Sequence, residues 1–219
     1  MRTPGRKMAF GLLGALAACG GFNNVPLESG TVRGRIVGAE ADVAMVSVLG
    51  QPELRAGVDP EGRFELANVP ATTVELFVVA SRTRAARSKV VAQGARVTDV
   101  GDIQPGPGAF ITVRVSDGQG GVPSRAEVEV DGTVLDDIKV DATSGEVRVG
   151  PLPAGCYELE VKADDVKDVK EDVCVREGEE LVRDIVMRSD DDGGGDDRDG
   201  GHGGRDGGSD DPDGGDDHP

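Results

Sequence analysis

Apolar and polar residues alternate along several segments of the chain. Ile111, Val113 and Val115 are separated by polar residues, and the same alternation recurs in segments 128–130 and 157–161. Because successive side chains of a strand point to opposite faces of its sheet, period two predicts strands with one buried and one solvated face. The excess of valine at the apolar positions favours the same interpretation.

The body of the chain, residues 30–188, repeats itself. Seven residues recur at a constant offset of 83 positions; the pairs are Gly62/Gly145, Pro70/Pro153, Ala71/Ala154, Glu75/Glu158, Leu76/Leu159, Val78/Val161 and Ala80/Ala163. The segment 46–50 recurs as 128–132 at an offset of 82, and Gly94 recurs as Gly178 at an offset of 84. Loop insertions between equal strands produce such a drift. We infer an internal duplication in which each copy, of about 80 residues, fits one small domain.

Turn residues separate the apolar runs at intervals of roughly 8–12 residues, as in many all-β domains. No segment of the body shows a sustained helical stripe. Short antiparallel strands with one wet face predict an all-β chain of two tandem Greek-key sandwiches, with about seven strands in each. The turns are at Asp59-Pro60-Glu61-Gly62, Asp117-Gly118, Asp131-Gly132 and Pro153-Ala154-Gly155.

The segment Val58–Ala71, VDPEGRFELANVPA, resembles the D-x-x-G-x-F-x-L-x-x-V/L-P-x-G stretch of carboxypeptidase regulatory-like domains. The second copy keeps this pattern between Val140 and Tyr157, with one extra residue before Gly145 and Val147 in place of phenylalanine. The resemblance implies a transthyretin-like sandwich and says little about activity. Surface-adhesin repeats of the B type are similar; many of them carry a Lys–Asn isopeptide bond, which cannot form within the second copy because that copy contains no asparagine.

The amino terminus is typical of an export signal. Arg2, Arg6 and Lys7 precede the apolar segment 8–18, which is too short to span a membrane but suits a signal peptide. The following Leu16-Ala17-Ala18-Cys19 resembles the lipobox of bacterial lipoproteins, which implies cleavage before Cys19 and attachment of diacylglyceryl and acyl chains such as palmitate to that residue. Gly20 after the cysteine, by the same resemblance, permits transport to the outer membrane of a Gram-negative cell envelope. The alternative is an ordinary secretory signal cut after Ala17-Ala18, with Cys19 incidental.

If Cys19 carries lipid, Cys156 and Cys174 remain as an even pair in an exported protein. Both fall on the polar phase of their strands, so both are expected on the outer face, where cysteines of adjacent strands can meet. We predict a disulfide between them. The alternative, a redox or metal-binding thiol pair, lacks a CxxC spacing, and His202 and His218 lie in the tail.

Residues 189–219 contain twelve Asp, eleven Gly and two Arg, a net charge of −10 (−12 + 2) in a chain of −17. Such a segment cannot bury a core, so it is predicted to be a disordered acidic tail. The tail lacks the apolar residues of calcium-binding nonapeptide repeats and the glutamate that completes an EF-hand loop. A folded calcium site is therefore not expected, and we expect at most a weak association of divalent cations with the tail. The acidic balance argues against nucleic acid, and 3% aromatic residues argue against a stacking platform for sugars.

The sequence predicts no enzyme and no cofactor. The body contains no histidine, and its serines lie in no GxSxG or SxxK context. We expect a lipid-anchored envelope protein with an envelope protein partner; the alternatives are a polysaccharide- or calcium-binding module, or an accessory subunit of an envelope enzyme. The predicted organisation is a signal peptide (1–18), a tether (19–29), two sandwich domains (30–105 and 109–188) and the tail (189–219).

Overall fold

The computed structural model of the chain describes residues 28–189, and this part is all-β without a helix. The signal peptide, Cys19, most of the tether and all but the first residue of the predicted tail lie outside the described residues. The first copy forms β1 Ser29–Ile36, β2 Met45–Val48, β3 Gln51–Gly57, β4 Arg63–Pro70, β5 Thr73–Val79, β6 Arg84–Val91 and β7 Val97–Ile103. The short β8, Gly106–Pro107, follows.

The second copy repeats this series with seven further strands. They are β9 Ala109–Asp117, β10 Glu127–Val130, β11 Ile138–Lys139, β12 Glu146–Leu152, β13 Gly155–Lys162, β14 Val169–Val175 and β15 Glu180–Met187. β1 begins at Ser29, which the sequence analysis assigned to the tether, and Ser189, assigned to the tail, forms an isolated bridge with Val166.

Each copy is a sandwich of a small and a larger sheet with the same strand order. The small sheets run β4-β1-β7 and β12-β9-β15, and the larger sheets run β3-β2-β5-β6-β8 and β11-β10-β13-β14. The predicted fold class of two tandem β-sandwiches is therefore confirmed, with β8 added to the edge of the first larger sheet.

The expectation of antiparallel pairing alone is wrong for one strand in each copy. β7 pairs with β1 in parallel, and β15 pairs with β9 in parallel. The chain crosses from the larger sheet back to the small sheet before β7 and β15, so each last strand starts at the same end as the first. Hydrophobic alternation reports which face a residue occupies but not the direction of the strand, and so it could not reveal this.

The predicted inward residues form the cores. Ile111, Val113, Val115, Leu159 and Val161 are all buried in one cluster of the second sandwich. The equivalent cluster of the first sandwich is also valine-rich and contains one phenylalanine. The alternation therefore identifies the core faces correctly.

Gly62 and Gly145, a pair of the sequence repeat, hold the same place in both sandwiches. Their φ angles are +83° and +70°, a region that favours glycine. A Cβ at Gly62 would lie 2.4 Å from the carbonyl oxygen of Ile36, and one at Gly145 would lie 2.7 Å from that of Val115. The turn before β4 or β12 thus needs glycine twice over, for its backbone angle and for its close approach to the first strand.

Candidate functional site: the junction of the two sandwiches

The two sandwiches meet on the outer face of the first larger sheet. Ser47, Phe77 and Arg87 lie side by side there, because Phe77 is paired with Ser47 on β2 and with Arg87 on β6. Phe77 is 0% exposed although it points away from its own core, and it packs with Val79 into the core cluster of the second sandwich. The first sandwich therefore supplies apolar side chains to the second one.

Tyr157 of β13 is the aromatic residue that meets this face. Its ring packs edge-on against Phe77, with ring centroids 6.3 Å apart, and its hydroxyl donates a 2.7 Å hydrogen bond to the carbonyl oxygen of Pro153. An edge-to-face pair of this kind adds a specific interaction to the burial of apolar area. Burial raises the pKa of the Tyr157 phenol to about 12. The hydroxyl thus stays protonated and keeps its hydrogen bond at physiological pH.

Arg87 covers the other side of the tyrosine ring. Its guanidinium carbon lies 4.5 Å from the ring centroid of Tyr157, and one of its nitrogens lies 3.9 Å from a carboxylate oxygen of Glu75. A Cβ at Gly155 would come within 2.8 Å of the guanidinium, so glycine leaves room for the stacked cation. This is a half-buried cation–π contact between the two copies, stronger than the same contact in water.

Backbone hydrogen bonds tie the sandwiches together around these side chains. The amide of Gly50 donates to the carbonyl oxygen of Gly132 at 2.8 Å, joining equivalent turns of the two copies. The amide of Gly108 donates to Thr83 at 2.8 Å, and the amide of Gly178 donates to Pro107 in β8 at 3.0 Å. The connecting segment is thus held by both sandwiches.

The corresponding face of the second sandwich is charged. Strand register places Glu129 at the position of Ser47 (129 − 47 = 82) and Glu160 at that of Phe77 (160 − 77 = 83). Lys162 lies 2.8 Å from Glu129 and 3.4 Å from Glu160. Lys162 donates to Glu129 and so lowers its pKa, but desolvation and the adjacent Glu160 outweigh this and raise it overall. The same site of the fold therefore packs against the other copy in the first sandwich and carries a cluster of charged side chains in the second.

A groove of about 610 Å³ lies on the small sheet of the first sandwich. Arg33 lies 3.0 Å from Asp99, and Arg35 makes a two-pronged ion pair with Asp102 at 2.9 and 2.6 Å. The hydrogen bond from Arg35 lowers the pKa of the Asp102 carboxyl. Such exposed cross-strand pairs contribute little to stability individually. Each arginine of these two pairs is neutralised by an aspartate on the adjacent strand.

Two of the three cysteines predicted as site residues lie within the described part of the chain. Cys156 and Cys174 lie opposite each other on β13 and β14, both exposed on the outer face, and they are disulfide-bonded as the sequence predicts. Cys156 follows Gly155, so the bond fastens the end of the second sandwich that meets Arg87. Cys19, His202 and His218 lie outside the described residues.

Between 28 and 189, no group of three or more His, Cys, Asp or Glu side chains is arranged to hold a metal ion. In the same span no helix has the length and apolar character that crossing a membrane requires.

The sequence analysis did not predict the junction, although the apolar pattern of β5 indicates it. β5 contains the uninterrupted apolar run Leu76-Phe77-Val78-Val79, which breaks the period of two found in the other strands. A continuous apolar run indicates a strand that is buried on both faces. Here the second face is covered by the other copy.

No family model and no curated protein matches the chain. Among solved structures it is similar to the TIE protein of Bacillus anthracis (12% identity, TM-score 0.29, 74% of this chain and 34% of that one). It is also similar to GBS52, the minor pilin of Streptococcus agalactiae (11%, 0.31, 74% and 96%). A third similarity is to a DUF3823 family protein of Bacteroides ovatus (11%, 0.26, 68% and 100%). The chain thus spans about a third of the first of these, and TM-scores this low carry no argument about function.

Proposed function

We propose that this protein is a non-catalytic, lipid-anchored cell-envelope protein whose two sandwiches work as one rigid structural or protein-interaction module. The observation that carries the proposal is the junction, where Phe77, Tyr157 and Arg87 interlock the copies. A partner or binding surface held on such a module keeps a fixed distance and orientation from its anchor. Flexibly linked domains would not provide this.

The anchor in this proposal is Cys19. The Leu-Ala-Ala-Cys sequence and the charged and apolar segments before it support lipidation, and Gly20 supports the outer membrane of a Gram-negative bacterium as the location. Several acyl chains on one residue hold a protein on a membrane, whereas one chain alone binds only marginally.

The charge pairs of the exposed faces also support a structural role. In the groove of the first sandwich and on the small sheet of the second sandwich, arginines are matched to carboxylates of other strands. Arg114 lies 2.8 Å from Glu146 on the neighbouring β12, and Arg148 reaches across β9 to Glu180 on β15 at 2.6 Å. Cross-strand pairs of opposite charge stiffen a sheet face and fix its register. The proposed partner is an envelope protein, and the tail associates at most weakly with divalent cations.

The anchor is tested by growing cells that express the full chain with a clickable palmitate analogue. Wild-type protein should incorporate the label and fractionate with the outer membrane, and Cys19→Ser should lose both properties. Cys156→Ser with Cys174→Ser is the control, because the proposal assigns no lipid to these residues. Equal labelling of wild type and Cys19→Ser would refute the anchor.

The module is tested by chemical cross-linking in intact cells, followed by affinity purification of the tagged chain. One recurrent envelope protein should be captured with the wild type. A glycan array and a calcium titration of the same chain distinguish the alternatives. Specific glycan binding, or ordering of the chain at micromolar calcium, would contradict a purely structural role.

A further inference from the structure

The chain enters the first sandwich at one end, which we call the tether end and define as residues 28–31, 70–73 and 91–97. The carbonyl oxygen of Glu28 accepts a 2.9 Å hydrogen bond from Ala71, and that of Ser29 accepts a 2.8 Å bond from Ala95. The described chain thus begins against two turns of this end, and any segment before Glu28 leaves from it.

Two of the four exposed large apolar side chains of the described residues lie at this end. Val91 is 64% exposed at the last position of β6, and Val97 is 55% exposed at the first position of β7. Val97 is paired with Thr31 beside the entry of the chain. Val91 ends a strand of the larger sheet and Val97 begins a strand of the small sheet, so exposed valines mark both sheets at the end where the described chain begins.

The charge of the tether end differs from that of the whole protein. The residues that define it carry one acidic and one basic side chain, Glu28 and Arg96, and are neutral as a set, whereas the full chain carries −17. The opposite end of the second sandwich carries Asp117, Asp141 and Asp164, and the acidic tail follows it in sequence. An anionic surface would therefore repel one end of the protein and tolerate the other.

The same end of the fold is already a contact surface in the second copy. The turn at 153–156 corresponds to the turn at 70–73 by the offset of 83, and it packs at the junction beside Arg87. In the first copy this end is open to solvent. Eight residues, 20–27, lie between Cys19 and Glu28, and the nine steps from one to the other could span at most about 30 Å when fully extended.

We propose that the tether end rests on the lipid surface, with Val91 and Val97 at the level of the headgroups and Arg96 facing anionic lipid. This inference rests on the proposed lipid anchor at Cys19. A lipidated terminus holds the tether end close to the bilayer, so even a weak apolar and electrostatic contact is made at high effective concentration. The contact would orient the rigid module away from the membrane, with Asp117, Asp141 and Asp164 at the end away from the lipid.

The test uses tryptophan as a depth probe, because the chain contains none. Full-length lipidated Val97→Trp is reconstituted in vesicles of phosphatidylethanolamine and phosphatidylglycerol with brominated acyl chains. Its emission should shift to shorter wavelength and be quenched. Val91→Trp is a second probe of the same end. Val186→Trp is the matched control, because Val186 is 56% exposed on the second sandwich, and its emission should remain unquenched.

Flotation of the vesicles separates the two proposals. If all variants float with the vesicles but Val97→Trp and Val91→Trp are quenched no more than Val186→Trp, the anchor stands and the inference is wrong. If no variant floats, the anchor is wrong and the inference falls with it. Removing phosphatidylglycerol should reduce the quenching of Val97→Trp without changing flotation.

Discussion

Replacing Arg87 with alanine removes the cation that lies between the two sandwiches. The change deletes a cation–π contact with Tyr157 at 4.5 Å and an ion pair with Glu75 at 3.9 Å. A partly desolvated cation–π contact is worth about 1–2 kcal/mol, and a half-buried ion pair adds a few tenths. We therefore expect Arg87→Ala to lower the free energy of unfolding by about 2 kcal/mol.

The assay is equilibrium unfolding in urea, followed by far-UV circular dichroism and by fluorescence. Tyr157 is the single tyrosine of a chain without tryptophan, so its emission reports on the junction itself. In the variant the fluorescence transition should move to lower urea than in the wild type and separate from the circular dichroism transition, because the copies no longer unfold together.

Lys170→Ala is the matched control for Arg87→Ala. Register places Lys170 at the equivalent position of the second sandwich, where it faces solvent rather than the other copy (170 − 87 = 83). We expect its unfolding curve to resemble that of the wild type. The account of the junction is wrong if the two alanine variants have the same midpoint.

Three further predictions concern other parts of the fold. Gly62→Ala should lower the free energy of unfolding in urea by about 1–3 kcal/mol. Gly50→Ala should lower it less, because a Cβ at Gly62 would lie 2.4 Å from a backbone carbonyl oxygen whereas a Cβ at Gly50 would have no atom within 4 Å. Equal losses of stability in the two variants would contradict this. Thr73 and Val91 are paired on β5 and β6 at the positions that Cys156 and Cys174 hold in the second copy. Thr73→Cys combined with Val91→Cys should therefore form a disulfide that stabilises the protein by about 3 kcal/mol. The melting temperature of this variant should fall on reduction, and two free thiols in the unreduced protein would refute the prediction. Burial raises the pKa of the Tyr157 phenol to about 12, so in a pH titration its phenolate absorbance should appear well above the ordinary midpoint of about pH 10. The contribution of the protonated phenol to stability is complete below about pH 10 and is lost as the pH rises toward 12. A titration midpoint near pH 10 would show that the ring is solvated.

The sequence predicts the core faces well because burial on one side of a strand imposes a period of two. Leu159 and Val161 illustrate this: each is buried, and each is flanked by charged residues on the outer face. The disulfide was predictable for the same reason, since the phase of the alternation places Cys156 and Cys174 on one face. A rule that depends only on a residue and its immediate neighbours suffices for these features.

The repeat was only partly visible in the sequence. The structure aligns Ile36 with Val115, because each pairs with an isoleucine of the last strand, and this offset is 79 (115 − 36). From Val115 to Val128 the chain takes three more steps than from Ile36 to Val46 (13 against 10), which shifts the first strands out of the register of the later ones. Arg35 and Arg114 therefore hold equivalent places, each near an aspartate of the parallel strand, although no common offset relates them to the rest.

The junction could not be derived from the period of two, because it depends on where one copy stands against the other. The apolar run at Phe77 and Val79 indicates a second buried face but not what covers it. The sequence offset of 83 and the strand register both place Glu160 at the position of Phe77, so the second copy has a charged side chain where the first has the apolar one.

The central claim, that the two sandwiches form one rigid body, is tested most directly by a distance distribution between them. Spin labels introduced as unnatural amino acids at Glu65 of the first small sheet and Val182 of the second avoid the cysteines and lie on exposed positions. Double electron–electron resonance on the full chain should give a single narrow distribution that broadens when Arg87→Ala and Tyr157→Ala are combined. A broad distribution in the wild type, unchanged in the double variant, would show that the copies are flexibly linked and would contradict the account.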